Sequence, residues 1–181
     1  MNIPEYSTDE WIEVLEPFQQ ELIRSLLTDH TEEEAMQLWV AVSGPEHTAS
    51  FGGTGKNDYL KAFKEEFDKF ILGDEKYQDA IREFKEHATV TKYFVVGFIA
   101  TVLAESIGVA SGVVAPLIVL ALGTIGKIGL NAYRSTIKKL IIYCQNHLLQ
   151  MYKVIRTSGA FFMRFSLSPS PLRSLSSLAR S

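Results

Sequence analysis

Residues 51–57, FGGTGKN, come nearest in type to a phosphate-binding loop. Such loops cradle phosphates with backbone N–H groups, reach them with a lysine, and hold magnesium with a Ser or Thr hydroxyl. The spacing here is wrong. That loop needs Gly five residues before Gly55 and a hydroxyl after Lys56, and the chain has Ser50 and Asn57. No buried strand precedes the segment, so an ordinary loop entering a helix is expected. The other reactive side chains are equally scattered. His30, His47, His87 and His147 have no metal-ligand spacing, and the single Cys144 excludes an internal disulfide or a cysteine-based zinc site. There is no G-x-S-x-G turn. The acid runs Glu32–Glu34 and Glu65–Glu66 read as solvated helix faces. The sequence therefore implies no catalysis, cofactor or metal.

The elements that would position any site carry more information. The chain has 181 residues and a net charge of −3, enough for one domain or a small domain with an appendage. Its apolar content is too high for a disordered chain. The charge is segregated: residues 1–92 carry −11, residues 93–126 carry only Glu105, and residues 127–181 carry +9 with no acid. Five acids and no base in the first sixteen residues do not resemble a secretory or transit signal.

The pattern throughout is helical. Ser7 with Glu10, and Thr31 with Glu34, are capping-box pairs before apolar runs. Pro17 either kinks one helix or starts the next. Tyr59, Leu60, Phe63, Phe67, Phe70 and Ile71 share one helix face, Gly73 reads as its stop, and Asp74 reads as the next N-cap. Tyr77, Ala80, Ile81 and Phe84 continue a helical stripe. The expected fold is all-α: an acidic helical domain over 1–74, a connector over 75–92, a transmembrane hairpin over 93–131, a basic amphipathic helix over 132–157, and a disordered Ser-rich tail over 158–181.

The hairpin expectation rests on residues 93–126, which are too long for one span of about 20 residues and right for two short ones. Ala110-Ser111-Gly112 is the turn signal between limbs 93–109 and 113–131. Pro116 is placed in the first turn of the second limb, where a missing donor does no harm. Basic residues flank both ends (Arg82, Lys85 and Lys92; Lys127, Arg134, Lys138 and Lys139), and the turn has none. The positive-inside rule then puts both termini in the cytoplasm. Gly97, Ala100, Thr101, Ala104 and Gly108 form a small-residue face for helix packing, and Gly123, Gly126 and Gly129 offer the second limb a similar one. Glu105 borders the first face as an intramembrane polar group.

From the end of the hairpin onward, the cations Lys127, Arg134, Lys138, Lys139, Lys153 and Arg156 line a helical stretch over 127–157 with a broad apolar side. They are expected to contact lipid or the acidic domain, not nucleic acid. The function expected is that of a non-enzymatic, homo-oligomeric membrane effector, pore-forming or membrane-disrupting, controlled through a partner at the N-terminal helices. The alternatives are a membrane anchor or adaptor, and a soluble bundle that hides the hairpin. The soluble part looks too small to wrap two apolar helices.

Overall fold

The computed structural model describes residues 3–43, 56–87 and 89–157. Among them the chain is all helical, with no strand. The helices are α1 (Thr8–Ile12), α2 (Pro17–Asp29), α3 (Glu32–Ser43), α4 (Lys56–Leu72), α5 (Gln78–Glu86), α6 (Lys92–Ile107), α7 (Ser111–Ile128) and α8 (Leu130–Thr157), with a 3-10 turn at Glu75–Tyr77. The GGTGK segment up to Gly55 and the tail from Ser158 lie outside the described residues.

Local rules set the helix ends. The Ser7 hydroxyl accepts from the Glu10 N–H while the Glu10 carboxylate accepts from the Ser7 N–H. Thr31 and Glu34 do the same at α3. Pro17 is the first residue of α2, where its missing N–H costs nothing. Gly73 (φ 81°) and Gly108 (φ 75°) take the left-handed conformation that stops α4 and α6. The Asp74 carboxylate accepts from the Lys76 N–H. α4 starts at Lys56, at the end of the expected loop.

The chain forms two compact units, Met1–Leu140 and Ile141–Ser181. In the first, α7 packs against α6, α1 and α3; α3 also meets α2 and α4, and α4 meets α6. The α4 stripe from Tyr59 to Ile71 is buried, as are Tyr77, Ile81 and Phe84. The segments expected as an acidic domain, a connector and a hairpin all contribute to one hydrophobic core. Trp11, Ile23, Trp39 and Phe67 share it with Ile99, Leu103, Leu117 and Leu120. In the second unit the described residues continue α8 as a single helix.

Candidate functional site

The apolar run forms a helix pair, α6 and α7, joined through the cap at Gly108. α7 is the one described helix long and apolar enough to cross a membrane, and 56% of that stretch is buried inside the protein. α6 has 16 residues because Gly108 ends it. It is therefore about 24 Å long, short of a bilayer core of about 30 Å.

α7 is covered along its length: no residue from Val113 to Ile125 is exposed. Its glycines explain how α1 comes so close. A Cβ on Gly123 would lie 2.6 Å from the Thr8 Oγ1, and one on Gly126 would lie 2.8 Å from the Tyr6 carbonyl oxygen. Residues 6–8 thus lie directly on the backbone of α7, which side chains at those positions would prevent.

Polar contacts hold both ends of the hairpin. At the turn end, Pro116 is the sixth residue of α7, not part of a harmless first turn, because the helix starts at Ser111. Its missing N–H leaves the Gly112 carbonyl without the usual i+4 donor. The Gln19 Nε2 donates to that carbonyl at 3.0 Å, from a side chain buried in the core region (7% exposed). The Trp39 Nε1 donates to the neighbouring Val113 carbonyl, also at 3.0 Å. At the other end, Lys92 on α6 pairs with Glu13, and Lys127 on α7 pairs with Glu32 at the start of α3. The Glu32 carboxyl loses some of its acidity to burial, but hydrogen bonds from Lys127 and its own backbone bring it below its ordinary value.

The small-residue face of α6 is divided. Ala100 and Ala104 are buried. Gly97 and Thr101 are exposed, and the Thr101 hydroxyl donates to the Gly97 carbonyl at 2.9 Å. A Cβ on Gly97 would meet nothing. Gly108 serves as the helix cap. Glu105 is exposed on the side of Gly97 and Thr101, one turn beyond Thr101.

The basic residues divide as well. Lys127 meets the acidic N-terminal helices through Glu32. The Arg134 Nε donates to the Ile71 carbonyl at 3.0 Å, next to a Tyr133 hydroxyl that donates to Asp68 at 2.7 Å. Burial raises the Asp68 carboxyl against the opposing pull of that hydrogen bond. Lys138 and Lys139 are exposed. Lys153 and Arg156 lie within α8, with side chains outside the described residues.

One hub has no signature in the sequence. Glu66 on α4 accepts from the Lys69 Nζ at 2.7 Å, the Lys76 Nζ at 2.6 Å and the Tyr77 hydroxyl. The same hydroxyl lies 2.9 Å from the Ser106 Oγ on α6. Burial opposes ionisation of Glu66, but these donors outweigh it and hold the carboxyl at about 2. The hub ties α4, the 3-10 turn and α6 together across forty residues of sequence.

An open hollow of about 850 Å³ lies among Ser7, Thr8, Arg24, His30, Thr31, Glu32 and Lys127. Its helix caps are occupied, and two of its cations are paired, Arg24 with Asp9 and Lys127 with Glu32. Among the described residues no three His, Cys, Asp or Glu side chains gather as a metal site would need. The candidate site is therefore the covered α7 and the contacts that cover it. No protein-family model matches the chain, and neither a curated protein nor a solved structure matches it.

Proposed function

We propose that the chain is a non-enzymatic membrane effector whose apolar hairpin is kept under the N-terminal helices until it is released. The observation that carries this reading is α7. It is apolar around its whole circumference, a pattern found in membrane spans and in fully buried core helices. Its cover is held by a short segment seated on two glycines, two neutral donors at one end and two ion pairs at the other.

On release, α7 inserts with α6 beside it, the short α6 being accommodated by local thinning of the bilayer, and both basic flanks stay on the cytoplasmic side. The Gly97–Thr101 side of α6, free in the closed bundle, then packs against another copy. Ala100 and Ala104 become available to the same contact, with Glu105 at its edge. A protein partner of α1–α3 would act as the trigger.

One observation favours a second reading. The Gln19 side chain is fitted to the carbonyl orphaned by Pro116, as a permanent core would require. In that reading the bundle never opens, and the chain is a soluble adaptor.

Dye leakage from vesicles separates the two. Gly126→Val pushes residues 6–8 off α7 and is expected to cause leakage where the unmodified protein leaves vesicles tight. Adding Gly97→Leu, which meets open space in the closed bundle, is expected to abolish the leakage without loosening the fold. If folded Gly126→Val neither enters membranes nor leaks them, the effector reading fails and the adaptor stands.

A further inference from the structure

From Ile141 to Gln150, α8 commits its apolar residues to no core. Every side chain from Ile141 to Gln150 is exposed, Leu148 by 67% and Leu149 by 57%. At about 100° per residue, Cys144, Leu148, Ile141, Leu149 and Ile142 fall in that order within an arc of about 160°, interrupted by Gln145 and, farther along the helix, by Arg156. Asn146, Gln150 and His147 occupy the opposite side, where His147 stacks on Tyr143. The arc is too broad for the narrow seam of a coiled coil. It matches the wide face of a helix lying in a membrane interface.

Charge selects the occupant. Residues 141–181 carry Lys153, Arg156, Arg164, Arg173 and Arg180 and no acid. A second copy would bring the same uncompensated charge against itself. A bilayer surface with anionic headgroups satisfies both the arc and the charge.

We propose that the distal part of α8, from Ile141 onward, docks the folded protein on anionic lipid. The helix lies in the interface with Ile141, Cys144 and Leu148 turned toward the acyl chains. This docking does not require α7 to leave its cover, so it stands apart from the effector reading.

The test is sedimentation of the full chain with dye-loaded vesicles, either of phosphatidylcholine alone or with about one third phosphatidylglycerol. Binding to the anionic vesicles is expected to be at least about tenfold tighter and to weaken as salt rises. Ile141→Ser with Leu148→Ser, and separately Lys153→Glu with Arg156→Glu, are each expected to lower binding by about tenfold or more, with unchanged circular dichroism. Equal binding to both vesicle types overturns the proposal. So does full binding by the Ser variant, which would mean charge attraction alone. A dimer in sedimentation velocity that the Ser variant abolishes, without vesicle binding by the unmodified chain, would assign the arc to a second copy. Anionic-selective binding without leakage supports docking and counts only against the effector reading.

Discussion

The two limbs of the hairpin are alike in composition and opposite in surroundings. α6 shows an outward line of Tyr93, Gly97, Thr101 and Glu105, each one turn from the next and each exposed. α7 shows no exposed residue from Val113 to Ile125. Their fastenings differ too. α6 is joined to α4 and the 3-10 turn through Ser106, Tyr77 and the Glu66 carboxylate, while the start of α7 is held by the uncharged side chains of Gln19 and Trp39. α6 is itself part of the cover for α7. Only one apolar helix has to be enclosed, and α1, α3 and α6 suffice for it. That explains why a polar portion expected to be too small for two apolar helices encloses α7.

The largest effect expected from this contrast is a charge placed on each limb. Ile118→Asp on α7 buries an unpaired carboxylate and is expected to cost more than about 4 kcal/mol, enough to prevent folding. Thr101→Asp on the exposed line of α6 is expected to change stability by no more than about 0.5 kcal/mol. Urea unfolding of both variants checks the pair; equal losses would remove the distinction between the limbs.

A smaller effect concerns pH. The Glu66 carboxyl titrates at about 2 in the folded chain against an ordinary 4.5. Its contribution is therefore complete above about pH 4.5 and is lost as pH falls toward 2. Asp68 has the opposite shift, so its protonation offsets part of that loss. Glu66→Gln is expected to cost about 2–3 kcal/mol at neutral pH and to flatten the acid side of the stability curve. The measurement is the urea midpoint against pH in both proteins, and parallel curves would show that Glu66 does not hold α6.

Smaller again is Gln19→Leu, which leaves the Gly112 carbonyl unpaired. A loss of about 1–3 kcal/mol is expected, with no dependence on pH between about 3 and 7, since neither partner titrates. A neutral result would mean that water replaces Gln19 at no cost.

Much of the fold is legible in the sequence because it is local. The capping boxes, the α4 stripe, the Gly73 stop and the approximate limbs of the hairpin depend on residues within a turn or two of one another. The cover is not legible. Gly123 and Gly126 are visible as small residues, but that residues 6–8 lie on them is a contact across more than a hundred positions. Gln19 and Gly112 are 93 residues apart, and nothing near Gln19 points to a carbonyl freed by Pro116. Gly108 sits at the spacing of the small-residue packing face, and that spacing conceals its role as a cap. Its positive φ is decisive only because α6 ends there and not at the later Ala110-Ser111-Gly112 signal.

The central claim is that α7 acts on membranes only when α1 leaves it, and a reversible lock between the two tests it most directly. Thr8→Cys with Gly123→Cys, in a Cys144→Ser background, places two thiols on a pair of positions whose Cβ atoms would be 3.2 Å apart. A disulfide spans about 3.5–4.5 Å between its Cβ atoms, so a small shift accommodates it. Dye leakage from anionic vesicles is followed with one preparation before and after reduction. The account predicts tight vesicles while the bond is closed and, once it is reduced, leakage like that of Gly126→Val, because the unbonded Gly123→Cys side chain then pushes residue 8 off α7. Equal leakage in the two states, or a reduced and folded protein that leaves the vesicles intact, would contradict it.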